Sequence, residues 1–310
     1  MPVTVTAEDI RRVATWPMVV EAIREGHRLP KADIGDTFVY GGGNTMLVRS
    51  AWVDGLAAGV KAATVVPQNP ARGLPSVHAQ IMLFNPDTGE LAALVDGTEV
   101  TAWKTAGDSA LGADLLARQD AKALLMVGAG AMAEPLIRAH LSVRPGLSEI
   151  LLWNRSPARA AALAERLQDL SQAIEIVDSV KAGAARADMI CCATMSSTPL
   201  LQGAWVPPGC HVDLVGAFKP DMREANDELH HKATWFVDSY DTTLDHIGEL
   251  KIPLAKGVIE RDAVKGDLHA LVAGETGRGS NEEITVFKNG GGAHLDIMVS
   301  DALVKAVVEQ

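Results

Sequence analysis

Cysteine is scarce in this 310-residue chain: Cys191, Cys192 and Cys210 are all there is, and two of them are adjacent in an apolar run. That number and spacing make neither a disulfide framework nor a zinc motif, so the thiols read as small buried hydrophobes. His230-His231 and the remaining histidines show no His-Glu-x-x-His arrangement, and no metal is expected. Positive charge is in deficit, with 28 Lys+Arg against 39 Asp+Glu and a net charge of −11. Such a balance speaks against nucleic acid or an anionic membrane as a partner, and any anionic ligand must be gripped by a few local cations. No apolar run reaches bilayer length. Met1-Pro2-Val3-Thr4-Val5-Thr6 has no basic region followed by an apolar core, so no secretory signal is expected and the chain reads as cytoplasmic. Repeats and low-complexity tracts are also missing. What remains, 47% hydrophobic and 22% charged residues over a two-domain length, is ordinary for a globular protein.

Thr6-Ala7-Glu8-Asp9 predicts a capped helix start, with apolar residues then recurring at helical period through Ile10, Val13, Val19, Val20 and Ile23. Pro17 divides this stretch into two helical pieces. From about Thr37 the pattern becomes strands: Met46–Val48, Val60–Val66, Val77–Phe84 and Leu91–Val95, the last two joined as a hairpin by the turn Asn85–Glu90. An alanine-rich helix is predicted over Thr98–Leu116. Beyond 121, strands alternate with helices: Ala123–Val127, Glu149–Trp153, Ile174–Val177, Met189–Ala193, His211–Val215 and Trp235–Val237. Alternation of this kind means parallel strands with right-handed crossovers. The expected fold is therefore α/β, a Rossmann-type doubly wound parallel sheet over 119–291. A second, α+β domain takes 1–118, with a final helix, Leu295–Val308, returning to it from 292–310.

The apolar strand Ala123–Val127 runs into Gly128-Ala129-Gly130-Ala131-Met132-Ala133 and then into a helix. Strand, glycine turn and helix start in that order form a dinucleotide-binding fingerprint. Gly128 permits the turn, Gly130 lets backbone approach a pyrophosphate, and Ala133 allows close helix–strand packing. Ala131 and Met132 lead into a helix N-terminus whose N–H groups hold phosphate charge. The second strand ends in Asn154-Arg155-Ser156, with Arg159 a turn later. NAD sites usually carry a carboxylate here for the ribose hydroxyls. An amide, a guanidinium and a hydroxyl suit the extra phosphate of NADPH instead, with NADH still possible.

Several further segments agree with one known pattern. Val60-Lys61-Ala62, Asp96-Gly97-Thr98 through Thr101-Ala102-Trp103-Lys104-Thr105-Ala106, Gly128–Ala133, Gly216-Ala217-Phe218-Lys219-Pro220-Asp221-Met222-Arg223-Glu224 and Ile284–Lys288 resemble the ornithine cyclodeaminase/mu-crystallin family over almost the whole chain. The resemblance implies a homodimer with a nucleotide-binding domain and a discontinuous substrate and dimerisation domain. It also implies that Arg49, Lys61 and Lys104 face a substrate carboxylate and that Thr105 adds a phosphate contact. The adenosine ribose would lie at Asn154–Ser156 and the nicotinamide ribose near Thr194-Met195, with Gly216 and Phe218 also at the coenzyme. Two departures matter. The family usually has arginine at Lys104, and lysine keeps the charge but loses the two-point fork. Cyclodeaminases resemble this chain at Phe218 but carry an aspartate there, and a phenyl ring neither accepts a proton nor orients water.

These residues favour reduction of a cyclic imino acid, Δ1-pyrroline-2-carboxylate or its six-membered homologue, to L-proline or L-pipecolate. Clamped cations would fix the carboxylate, and the nitrogen needs a proton. Lys61 sits in an apolar strand pattern, and a partly desolvated ammonium there is a plausible proton or hydrogen-bond donor. His78 is a candidate substrate contact or proton relay, and equally a structural histidine. Asp108, one turn after Lys104, either positions that lysine or satisfies a helix face. Ornithine cyclodeaminase, alanine dehydrogenase and a non-enzymatic, crystallin-like nucleotide binder are the alternatives.

Overall fold

The computed structural model describes residues 2–310. The chain forms two compact units, Met1–Gly107 with Gly292–Gln310, and Asp108–Gly291. The first holds β1 (Val3–Val5), α1 (Ala7–Val13), α2 (Trp16–Arg28), β2 (Asp33–Gly41), β3 (Asn44–Val53), β4 (Ala57–Val65), β5 (Val77–Phe84) and β6 (Leu91–Asp96). The helix α3 (Gly97–Leu116) belongs to both. In the second unit come β7 (Ala123–Val127), α4 (Ala133–Val143), β8 (Glu149–Trp153), α5 (Pro157–Arg166), β9 (Ala173–Ile176), α6 (Val180–Ala184), β10 (Met189–Cys192) and β11 (His211–Leu214). There follow α7 (Asp227–Lys232), β12 (Ala233–Val237), α8 (Tyr240–Thr243), α9 (Gly248–Ala255), β13 (Val264–Gly266), α10 (Leu268–Val272) and β14 (Ile284–Lys288). The last helix, α11 (Ala293–Val308), returns to the first unit.

The first unit is a six-stranded sheet in the order β1-β6-β5-β4-β3-β2, antiparallel except for the β1/β6 pair. Local chemistry sets its ends. Thr6 Oγ1 accepts from Asp9 N at 3.1 Å while Asp9 Oδ2 accepts from Thr6 N at 3.0 Å, the reciprocal cap expected of that tetrad. Pro17 sits in the first turn of α2, where a missing N–H costs nothing, so the break falls at Ala14-Thr15. Asn85 Oδ1 accepts from the N–H groups of Asp87 and Thr88, and Gly89 takes φ +73°, closing the β5/β6 hairpin. The apolar helix α11 packs on this sheet and against α2, burying Leu295, Ile297, Val299 and Leu303.

The second unit is an eight-stranded, wholly parallel sheet in the order β13-β12-β14-β11-β10-β7-β8-β9. The order reverses between β7 and β10, and ligands of such sheets bind at that point, outside the carboxyl ends of the strands. Two strands escape the sequence pattern. The three-residue β13 is too short to show a period. β14 comes last in the chain yet inserts between β11 and β12, and its all-buried run ends in Lys288, an unusual residue for a central strand.

The expected boundary at 118/119 differs from the observed one at 107/108, inside α3. The second half of this helix is held by the parallel sheet. A Cβ on Gly112 would lie 2.6 Å from the Phe287 ring, so helix and strand are in close contact there. The buried Arg144 guanidinium donates to the carbonyls of Ala113, Asp114, Ala117 and Arg118, completing the end of α3. Among the described residues, no helix is long and apolar enough to cross a membrane.

Candidate active site

In the first unit, strand register puts Asp36, Arg49, Lys61 and Ile81 in one cross-strand row, so their side chains share a face. Lys61 is 7% exposed, in keeping with its apolar surroundings in the sequence. Its ammonium donates to Thr101 Oγ1 at 2.5 Å and to Asp296 Oδ1 at 2.9 Å. Two of its three N–H groups are thus engaged, and among the described residues the third has no partner. Asp296, on α11, is fully buried, and its second oxygen has no hydrogen-bond partner. Burying both charges is tolerable because they are paired. Arg49 already grips a carboxylate: its Nε lies 3.0 Å from both Asp36 oxygens and an Nη donates to Oδ2 at 2.8 Å. A substrate carboxylate at Arg49 has to share or displace Asp36.

Lys104 is 5% exposed on α3, one turn before the fully buried Asp108, and Thr105 beside it is half-buried. The structure does not bring His78 to Lys61. On β5 it pairs with Thr64, three positions from Ile81, and strand alternation turns it to the opposite face, where it is exposed.

In the second unit, the turn after β7 has the shape its glycines require. Gly128 has φ +115°, and a Cβ there would lie 2.7 Å from the Ala193 carbonyl. Gly130 is different: its φ is ordinary and a Cβ would meet nothing within 4 Å. Neither conformation nor packing explains that glycine, whereas close approach of a ligand does. Ala133 is fully buried and its N–H donates to the Gly130 carbonyl at 3.2 Å. Met132 leaves the start of α4 without a side-chain cap and Pro135 has no N–H, so among the described residues Glu134 keeps the one unengaged N–H of the first turn. Gly130 and Ala131 are exposed beside it. A dinucleotide pyrophosphate fits this cradle.

At the end of β8, Asn154 serves the turn itself, its Oδ1 accepting from Ala129 N at 3.1 Å and its amide donating to the Ser156 carbonyl. Ser156 opens α5. Arg155 and Arg159 are exposed, and among the described residues neither forms an ion pair. After β10, Thr194 gives both its N–H and its hydroxyl to Glu224, and so lends its polar groups to the loop rather than to a ligand. Met195 and Phe218 are 78% and 53% exposed, with the Lys219 ammonium 5.5 Å from the Phe218 ring centre. Gly216 has a packing role, since a Cβ there would overlap the Thr194 backbone.

One buried trio, His140, Cys191 and Asp213, has donor atoms of metal-ligand type within 4.8 Å of one another. It is a hydrogen-bonded knot: Ser109 and Cys191 donate to Asp213 at 3.0 and 3.1 Å, and His140 Nε2 lies 3.2 Å away. Burial pushes the Cys191 thiol well above its ordinary pKa, so it stays protonated.

Thr101, Asp296, Asp36 and Glu224 are the contributors that the sequence does not announce. Asp296 had a signal: it is the lone carboxylate among the mostly apolar residues Ala293–Val299.

The profile of the "Ornithine cyclodeaminase/mu-crystallin family" matches residues 41–310. A Δ1-pyrroline-2-carboxylate reductase of Paracoccus denitrificans is 49% identical over 94% of this chain and 93% of its own. The structure of Thermococcus litoralis Δ1-pyrroline-2-carboxylate reductase in complex with NADH and L-proline superposes with a TM-score of 0.92, covering 99% of this chain and 98% of that one at 30% identity. The iminosuccinate reductase of Paracoccus denitrificans in complex with NAD+ gives a TM-score of 0.93 over 99% and 97% of the two chains at 29% identity.

Proposed function

We propose, since the chain belongs to the ornithine cyclodeaminase/mu-crystallin family, that it is an NAD(P)H-dependent oxidoreductase acting on the C=N bond of a cyclic imino acid. Its substrate is Δ1-pyrroline-2-carboxylate or the six-membered homologue, and the product is L-proline or L-pipecolate. The observation that carries this reading is the buried Lys61 ammonium, fixed by Asp296 and Thr101 with one donor to spare. The 49% identity to a protein named for that reaction supports it.

When bound, the coenzyme supplies a hydride to the imine carbon. The chain's own residues bind, orient and protonate. Arg49 and Lys104 take the substrate carboxylate, Arg49 through a fork it already uses on Asp36. Lys61 would hydrogen-bond the imine nitrogen through its third N–H and pass that proton to it as the C=N bond is reduced, the resulting neutral amine regaining a proton from water. Phe218 presents an apolar surface where a cyclising deaminase needs a carboxylate, which favours reduction over ammonia release. Gly128, Gly130, Ala131 and Met132 would receive the pyrophosphate, and the Met195 and Gly216 segments would take the nicotinamide ribose. Steady-state oxidation of NADPH and NADH with a panel of cyclic imino acids, ornithine, and pyruvate plus ammonia tests the assignment. Turnover is expected with the cyclic imines. Ammonia released from ornithine without net oxidation would make it a cyclodeaminase, turnover with pyruvate and ammonia an alanine dehydrogenase, and binding without turnover a crystallin-like protein.

NADPH is the preferred coenzyme. Arg155, just past β8, and Arg159, in the first turn of α5, form no ion pair among the described residues and stand at the position where a 2′-phosphate is read. Arg155→Asp is expected to lower kcat/KM with NADPH at least about tenfold more than with NADH, the equivalent of about 1.4 kcal/mol. Equal losses with both would remove Arg155 from phosphate recognition. The enzyme works as a homodimer in the cytoplasm. Every residue of the edge strand β2 is exposed, including Phe38, Val39 and the 74% exposed Tyr40, with Met46 and Trp52 open on β3. An apolar edge of this length invites a second copy, and sedimentation as a monomer would refute the pairing.

A further inference from the structure

Glu224 is fully buried, yet both its oxygens are saturated by donors from two different segments. Oε1 accepts from the N–H and the hydroxyl of Thr194 at 2.7 and 2.8 Å. Oε2 accepts from the N–H groups of Gly216 and Ala217 at 2.6 and 3.3 Å. One carboxylate therefore ties the segment leaving β10 to the segment leaving β11. Its own backbone is anchored in turn: its N–H donates to Glu249 at 2.7 Å, and its carbonyl accepts from Leu200 and Leu201. A side chain so placed cannot move without moving both segments.

The location gives this clip a consequence. In a doubly wound sheet the first half, here β7 to β9, takes the adenosine end of a dinucleotide, and the half beginning at β10 takes the other end. We propose that Glu224 is a positioning residue for the nicotinamide end of the coenzyme, its ionised carboxylate setting the Thr194-Met195 and Gly216–Phe218 segments in the form that binds. This rests on the nucleotide reading above. The adenosine end rests on Gly128–Met132 and Asn154–Arg159, which Glu224 does not touch.

The charged and titratable groups facing Glu224 are Lys288 on β14, Glu249 on α9, and Cys191 and Cys192 on β10. Burial and the Glu249 charge push Glu224 up, Lys288 and the Thr194 bonds pull it down, and it settles at about 7. Lys288 is committed to the carbonyls of Leu214 and Asn289, so it balances the charge without replacing any of the four bonds. Above that pH the carboxylate accepts from all its donors. Below it, the added proton faces a donor, and one segment is released. Coenzyme affinity should thus fall as pH falls.

The test is binding of NADH and of the β-methyl ester of ADP, which lacks the nicotinamide riboside and has no phosphate titrating in this range, to the full chain between pH 6 and 8. NADH is chosen because the 2′-phosphate of NADPH itself titrates near 6. For the wild-type protein, NADH affinity should drop several-fold from pH 8 to 6 with a midpoint near 7, while affinity for the ADP ester stays level. Glu224→Gln removes one acceptor and adds a donor against N–H groups. It should weaken NADH at pH 8 by about tenfold, flatten its pH profile and leave the ADP ester within about twofold. Should that variant not fold, Thr194→Val deletes one of the four bonds and should weaken NADH alone, by a few-fold. A level wild-type NADH profile, or equal weakening of both ligands by Glu224→Gln, overturns the proposal. Failure of the wild-type protein to bind either ligand overturns the nucleotide reading beneath it.

Discussion

Lys61→Met is expected to lower kcat/KM for the cyclic imino acid by about a thousandfold, the equivalent of roughly 4 kcal/mol of transition-state stabilisation. Methionine keeps the length and apolar stem of the side chain but removes the donor proposed for the imine nitrogen. The same change leaves Asp296 as a buried carboxylate without its counter-ion, which costs about 3–5 kcal/mol of stability. Adding Asp296→Asn separates the two effects. The double variant should regain most of the stability of the wild-type protein, because no buried charge remains unpaired, and regain none of the activity. Denaturant unfolding and steady-state kinetics on the wild-type protein and these two variants check both halves. Activity within threefold of wild type in Lys61→Met would remove that lysine from the chemistry. A double variant no more stable than Lys61→Met would show that the ion pair is not what the fold depends on.

How much of this was legible in the sequence follows from how local each cause is. The reciprocal cap at Thr6 and Asp9, the Asn85–Glu90 hairpin and the turn after Ala123–Val127 depend on residues a few positions apart, and each appears where its pattern places it. The parallel strands from β7 to β12 were readable because apolar runs and helical periods alternate. β14 was not, since its central place comes from long-range pairing with β11 and β12. The same limit governs the candidate site. Lys61 is conspicuous as a charge in an apolar strand, but Asp296 lies 235 residues away and only the fold joins them. Glu224 stood inside a recognisable run, yet no spacing rule connects it with Thr194. His78 shows the opposite case. Its nearness in sequence to the strand bordering Lys61 was real, and the period of two placed it on the wrong face.

Two glycines separate what the fold needs from what a ligand needs. Gly130→Ala should fold as the wild-type protein does, because its backbone is ordinary and no atom lies within 4 Å of the added methyl. Its NADH affinity should nevertheless fall by about tenfold to a hundredfold, since the methyl would stand where the proposed pyrophosphate contact meets the backbone. Gly216→Ala should do the reverse in order of severity. There the methyl would overlap the Thr194 N and carbonyl and stand 2.6 Å from Glu224 Oε1, and the Glu224 bonds hold Thr194 in place on the other side. Relief requires breaking that carboxylate's hold, so about 3 kcal/mol of stability should go with it, in the range of a strained core with lost hydrogen bonds. Thermal unfolding and NADH titration of the two variants read out the contrast. An unstable Gly130→Ala would assign that glycine to the turn alone, and a Gly130→Ala that is stable and binds NADH normally would take the pyrophosphate away from the β7 turn.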